Sequence, residues 1–130
     1  MKILIAEDDA PVGKMLKGFL TGLGHSVQAV ENGAELIKLA LNETPDLIIT
    51  DLHMPEMSGN SMISMIDLYS PLSGVPVIII TGISKGELAE AALPKGIPII
   101  TKPFDLDRMT EEINKITERG TRDARPSQHS

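Results

Sequence analysis

The stretch Leu47-Ile48-Ile49-Thr50-Asp51-Leu52-His53-Met54-Pro55 decides the fold. A short apolar run ends in an acid, and a proline loop follows. Ile3-Leu4-Ile5-Ala6 ends the same way, in Glu7-Asp8-Asp9. The run at 97–101 ends in Lys102-Pro103-Phe104. Continuous apolar runs of this length mark strands buried on both faces. Each chemical group therefore reads as the C-terminal tip of a buried strand. In an open parallel sheet such tips share one side, where ligands bind. Carboxylates, a hydroxyl and one lysine converge there, which equips the site for a divalent cation and a phosphoryl group.

Working outward, helix and strand signals alternate. Val12, Met15, Leu16, Phe19, Leu20 and Leu23 form a helical stripe. Asp9 caps that helix, with Pro11 in its first turn, and Gly22 and Gly24 close it. Residues 25–30 alternate polar and apolar, as a strand near a sheet edge does. Asn32-Gly33 is a turn signal, and Leu36, Ile37, Ala40 and Leu41 make a second stripe. Pro55 and Gly59 bracket a loop before a third helix with Met62, Ile63, Ile66 and Tyr69 inward. Pro76 opens the strand Val77-Ile78-Ile79-Ile80, and Thr81-Gly82 follows. A short fourth helix over 85–93 and a last strand over 97–101 come next. Asp105 caps a final helix striped by Leu106, Met109, Ile113 and Ile116. Five strands alternating with five helices imply an α/β three-layer sandwich around a parallel sheet. The domain spans 1–119, and residues 120–130 form a polar tail or the start of a linker.

The bulk numbers exclude several classes. With 130 residues the chain suits one domain. Hydrophobic residues make up 42%, enough for a core, but aromatics are only 2%, so the core is aliphatic. A net charge of −6 argues against direct nucleic-acid binding, which needs a basic patch. There is no cysteine and hence no disulfide or thiol chemistry. No apolar stretch approaches the ~20 residues of a membrane span, and the early acids at 7–9 do not fit a signal peptide. A cytoplasmic protein is the expectation.

Glu7, Asp8 and Asp51 lie at the ends of strands expected to be neighbours. Two unit charges ~4 Å apart repel by ~4 kcal/mol at an effective dielectric of 20. Three clustered carboxylates need a counter-charge or a proton. Mg²⁺, a hard cation that takes one or two carboxylates and keeps waters, fits them. Lys102 extends an ammonium from the last strand toward the acids. Pro103 fixes the loop behind it, since a Lys-Pro bond takes the cis form at modest cost. The Thr81 hydroxyl emerges at the same rim, and Gly82 leaves room beside it.

Over roughly residues 1–119 the chain resembles the receiver (response-regulator) domain of two-component signalling. The matching pieces are 3–9, 51–59, Thr81-Gly82 and Lys102-Pro103-Phe104, in that order and spacing. The resemblance implies a flavodoxin-like (βα)5 fold with strand order 2-1-3-4-5. It implies that Asp51 is the phosphoacceptor, that Asp8 binds Mg²⁺ directly, that Glu7 holds it through water, and that the His53 backbone carbonyl completes the set. It makes Thr81 and Lys102 the phosphoryl-contacting residues. Gly59 and Pro103 are structural. It also implies a sensor histidine kinase or histidine phosphotransfer protein as donor, a downstream reader that the sequence does not name, and a monomer or weak phosphorylation-dependent dimer. The domain assists its own phosphorylation and dephosphorylation without being an enzyme for another substrate. Two departures stand out. Ile99 occupies the position, three before the lysine, where relatives often carry an aromatic switch residue. His53 sits where side chains tune phosphoryl lifetime.

Rival readings are weaker. A haloacid-dehalogenase-type phosphatase needs a second Asp two residues after its nucleophile, and His53 stands there. A flavin module needs a hydroxyl-rich phosphate loop after the first strand, where this chain has acids. A degenerate receiver acting as a passive adaptor conflicts with the full set of acceptor and metal residues, although Ile99 speaks for it.

Overall fold

Four apolar runs and one alternating segment form the five strands of one parallel sheet in the computed structural model, which describes residues 1–52, 61, 63, 64, 68, 72, 74–82, 96–102 and 105–123. The strands are β1 (Lys2–Ala6), β2 (Ser26–Val30), β3 (Leu47–Asp51), β4 (Val77–Thr81) and β5 (Ile99–Thr101). Their order is β2-β1-β3-β4-β5. All four pairings are parallel, with Ile3 beside Leu47, Ile49 beside Ile78 and Thr81 beside Thr101. This is the order the resemblance implies.

Three helices lie among the described residues: α1 (Ala10–Gly22), α2 (Gly33–Asn42) and α3 (Leu106–Asp123). Ser61, Ile63, Ser64 and Leu68 also have helical backbone, within the expected third helix. The expected fourth helix over 85–93 falls outside the described residues, as do His53, Gly59, Pro103, Phe104 and the tail from 124 on.

Alternation along the strands builds two cores. Ile3, Ile5, Leu47, Ile49, Ile78, Ile80 and Ile100 pack under Leu16 and Leu20 of α1 and Met109, Ile113 and Ile116 of α3. On the opposite face Leu4, Ala6 and Ile48 meet Leu36, Ile37 and Ala40 of α2, with Leu72. Leu52, Ile63 and Ile79 form a smaller cluster that the half-buried Val77, Ile97 and Ile99 join. Each fully buried Leu or Ile contributes roughly 1.5–3 kcal/mol relative to its exposed state. These layers hold the strand tips at fixed relative heights.

Several details differ from the sequence reading. Asn32 is an N-cap: its Oδ1 accepts from the Glu35 N–H at 2.8 Å. Strand β2 begins at Ser26, because the His25 N–H donates to the Leu20 carbonyl at the end of α1, while the Ser26 N–H donates to Met1 O. His25 is half-buried and sets its Nδ1 3.0 Å from the N-terminal amine. Strand β5 begins two residues late. Pro98 has no N–H for the ladder, though its carbonyl still accepts from the Ile79 N–H. Helix α3 runs three residues past Gly120. Met15, Leu23 and Leu41 belong to the helical stripes yet are exposed.

The caps agree with the sequence reading. Asp9 accepts from the Val12 N–H at 3.3 Å and Pro11 sits in the first turn of α1. Asp105 accepts from the N–H groups of Asp107 and Arg108. Gly24 follows α1 with φ 98°, a left-handed backbone that suits glycine.

The stripe of α1 makes a direct test. Leu16→Ala is expected to cost about 2–5 kcal/mol in a urea titration, whereas Met15→Ala stays within about 0.5 kcal/mol. Equal losses would contradict the observed rotation of α1 on the sheet.

Candidate functional site

The parity that builds the cores also builds the site. Glu7 continues the set Ile3, Ile5. Asp51 continues Leu47, Ile49, and Lys102 follows Ile100 by two. All three therefore fall on the sheet face covered by α1 and α3. The Lys102 ammonium lies 2.6 Å from Glu7 Oε1 and 2.7 Å from Asp51 Oδ2. Three side chains from β3 and the tips beyond β1 and β5 thus meet across the end of the sheet. Lys102 is held at its root as well, since its backbone N–H donates to the Thr81 carbonyl at 2.7 Å. Its aliphatic stem runs beside Gly82, whose missing Cβ would stand 3.9 Å from Lys102 Cδ.

Glu7 and Asp51 are buried, and Asp8 is exposed. One carboxylate oxygen from each lies within 4.8 Å of the other two. Glu7 Oε1 is buried and makes no aligned hydrogen bond, although the ammonium is close. The Asp9 N–H approaches Glu7 Oε2 at 3.4 Å. Burial pushes the Glu7 carboxyl up from 4.5 to about 7, aided by its hydrogen bond to Asp51 and by that group's charge, and opposed by the Lys102 ammonium. Burial works against the charged Lys102, but its hydrogen bond to Asp51 and its charge pairing with Asp51 and Glu7 outweigh this and raise its pKa. Among the described residues, two buried acids thus stand against one ammonium. The donor atoms there are all oxygen, the set a hard divalent cation prefers.

The structure brings Glu7, Asp8, Asp51 and Lys102 together. Thr81 ends β4 beside this group, fully buried, and falls on the α2 face by parity with Val77 and Ile79. Ile99 opens β5 half-buried beside Leu52 and Ile79. Two neighbours of the site were not singled out from sequence. Gly13 of α1 faces the Glu7 stem, where a Cβ would meet Glu7 Cβ at 3.9 Å. Thr50 is fully buried and donates its hydroxyl to the Asp51 carbonyl at 3.0 Å. Its signal was available: it is the one hydroxyl inside the apolar run 47–50.

Comparison with known proteins agrees with this arrangement. The family model described as the response regulator receiver domain matches residues 3–114. The chain belongs to that family: it is a receiver domain of the two-component response regulators. The transcriptional regulatory protein GlrR of Escherichia coli is 37% identical over 117 residues, covering 89% of this chain and 26% of GlrR. The chain thus spans about a quarter of the length of the curated relatives it matches. Among solved structures, the N-terminal domain of an uncharacterized protein (WS1339) from Wolinella succinogenes superposes with TM-score 0.84 at 26% identity, covering 95% of this chain and 98% of that one. The receiver domain of the sensor histidine kinase PA1611 from Pseudomonas aeruginosa PAO1 superposes with TM-score 0.80 at 24% identity, covering 87% and 93%. That structure has a magnesium ion coordinated in its active site cleft.

The raised Glu7 carboxyl predicts a pH dependence. A carboxyl whose folded pKa exceeds its unfolded one binds its proton more tightly in the folded chain. The stability it contributes is complete below pH 4.5 and is lost as pH rises through about 7. A shift of that size is on the order of 3 kcal/mol. Thermal unfolding without divalent cations is expected to show this loss, and Glu7→Gln, neutral at every pH, to lack it. The variant then gains on the parent as pH rises and is the more stable of the two above about pH 7. Parallel stability curves for variant and parent would contradict the raised value.

Proposed function

We propose that Asp51 accepts a phosphoryl group from a phosphohistidine of a sensor kinase or phosphotransfer protein, and that the modified domain is read by a downstream partner. The observation that carries this reading is the Lys102 ammonium held between the Asp51 and Glu7 carboxylates at the strand tips. In the proposed step a carboxylate oxygen of Asp51 attacks phosphorus in line. A P–O bond forms as the P–N bond to the donor imidazole breaks, and the electron pair leaves with that nitrogen, which takes up a proton. The carboxylate is a weak nucleophile, so positioning and charge neutralisation must lower the barrier. Lys102 already stands within reach of the acceptor oxygen and is the group to follow the new charge.

Mg²⁺ fits the residues present. Glu7, Asp8 and Asp51 would hold it with oxygen donors, and the buried Glu7 Oε1 lacks an aligned partner of its own. From the resemblance, the His53 carbonyl would join them. The chemistry such an ion supplies when bound is neutralisation of charge on the acceptor and phosphoryl oxygens. Thr81 would donate its hydroxyl to a phosphoryl oxygen. Ile99, β-branched and stiff at χ1, replaces an aromatic rotamer switch with packing against Leu52 and Ile79. A cytoplasmic location and a monomer or weak phosphorylation-dependent dimer belong to the same reading.

Incubation with Mg²⁺ and acetyl phosphate is expected to add one phosphoryl group by intact mass, and Asp51→Asn to add none. Persistent uptake in that variant would move the acceptor elsewhere. Lys102→Ala is expected to lose the change in amide exchange that phosphorylation causes in β4 and β5. An unchanged response would remove Lys102 from the switch. Ion binding requires the proton of Glu7 to leave, so Mg²⁺ affinity should rise from about pH 6 to about pH 8 with proton release. Calorimetry in buffers of different ionisation heat measures that release, and pH-independent binding would exclude Glu7 from the site.

A further inference from the structure

Helix α1 presents a buried line of Gly13, Leu16 and Leu20 to the sheet. Leu16 and Leu20 fill the core with Ile3 and Ile5. Gly13 stands one turn nearer the charged end of the sheet, against Glu7, and contributes no side chain there. Nothing in the helix asks for glycine at that place. After proline it is the least favourable residue of a helix interior, because it gives up the most backbone freedom on folding. Its backbone is helical, so no left-handed conformation requires it. Space does not require it either. Among the described residues, a Cβ at this position would meet Glu7 alone, 3.9 Å from its Cβ and 4.0 Å from its Cγ. Those are ordinary contact distances, so alanine would fit. Helix propensity and packing both favour alanine, and the chain carries glycine.

What the glycine leaves is a gap beside Cβ and Cγ, the two carbons about which the Glu7 carboxylate turns. In the present arrangement that carboxylate meets the Lys102 ammonium at 2.6 Å. The proposed reaction asks a second pose of it. Once the ammonium leaves for a phosphoryl oxygen, the carboxylate must face the divalent cation that it would hold with Asp8 and Asp51. Side chains pass between staggered wells roughly 120° apart, so such a turn sweeps the stem through the space around it. Glu7 is only 1% exposed, and that space has to lie inside the protein. A methyl group on residue 13 would occupy part of it and pack against the stem as it now stands.

We infer that Gly13 is a positioning residue acting through Glu7: its missing side chain gives the buried stem room to turn its carboxylate from Lys102 to a bound divalent cation. The inference rests on the reading of Glu7, Asp8 and Asp51 as the Mg²⁺ site of the phosphoacceptor.

The test sets Gly13→Ala beside Gly18→Ala in the full chain. Gly18 lies exposed in the same helix, and among the described residues nothing comes within 4 Å of its Cβ position. Alanine there gains the helix preference without touching Glu7. The melting temperature without divalent cations, the Mg²⁺ affinity by calorimetry and the Mg²⁺ dependence of mass gain from acetyl phosphate are measured for each. Both variants are expected to melt at or a few degrees above the parent. Gly18→Ala is expected to bind Mg²⁺ as the parent does. Gly13→Ala is expected to bind it roughly three- to tenfold more weakly, a loss of at most about 1.4 kcal/mol. It should need correspondingly more Mg²⁺ for half-maximal uptake, while its rate at saturating Mg²⁺ stays within about twofold of the parent. Parent-like Mg²⁺ affinity in Gly13→Ala would overturn the proposal. Equal weakening in both variants would do the same, because it traces the effect to the helix and not to Glu7. So would a Gly13→Ala chain that melts below the parent or does not fold, since the glycine would then serve space alone. A parent that binds Mg²⁺ yet gains no mass would overturn the acceptor assignment and leave the calorimetric contrast to decide the role of Gly13. A parent that binds no Mg²⁺ would overturn the cation site and the proposal together.

Discussion

One ammonium between two buried carboxylates governs this molecule. Lys102 touches both Glu7 and Asp51, and Asp8 adds a third negative group at the rim. Among the described residues the site is therefore short of positive charge. At separations near 4 Å each unbalanced pair costs on the order of 4 kcal/mol at an effective dielectric of 20. Part of this is offset when Glu7 holds a proton, which burial first and Asp51 second favour by pushing that carboxyl up to about 7. A divalent cation would relieve the rest. A site in this condition is poised: it binds whatever brings positive charge and responds to whatever adds negative charge.

Such a cluster persists only if the strands cannot move apart to relax it. The isoleucine-rich layers on both faces supply that constraint. Ile5 and Ile49 are fully buried two residues before Glu7 and Asp51, and Ile3, Ile78 and Ile80 are fully buried in the same layer. The backbone bonds from Leu52 to Ile80 and from Lys102 to Thr81 carry the pairing one residue past the strands. Cost at the tips is thus borne by apolar burial a few ångströms below, and the buried acids remain where the chemistry needs them.

The order of elements was legible in the sequence because parallel strands buried on both faces leave nearly continuous apolar runs. The pairing of Lys102 with the acids followed from their shared position at strand ends. Other features share a signal with something else. Asn32 reads equally as a turn residue or a helix cap, and only the Glu35 N–H decides. The stripe containing Met15 and Leu23 is wider than the contact that α1 makes with the sheet, and periodicity alone does not give that width. The start of β5 depended on which groups Pro98 could offer to β4. The helix of 121–123 has no apolar period to announce it. Thr50 is visible as the one hydroxyl of its apolar run, but a threonine in a strand is ordinary by propensity, and its meaning lies in which carbonyl it meets.

The same electrostatics bears on how the domain would signal. A phosphoryl group on Asp51 turns a single negative charge into nearly two and moves it outward along the new bond. Lys102 cannot then keep equal contact with Glu7 and with the acceptor, because the stronger charge lies farther from Glu7. In the proposed reaction the ammonium would follow the phosphoryl oxygens, and its stem would draw on the segment that begins at the Thr81–Lys102 backbone bond. Glu7 would then lose its neutralising partner and turn to a cation or keep its proton. Ion occupancy, the protonation of Glu7 and the position of β5 are therefore three readings of one balance. Aliphatic packing around Ile99 would give that balance a mechanical outlet, since Leu52 follows Asp51 directly and belongs to the same cluster.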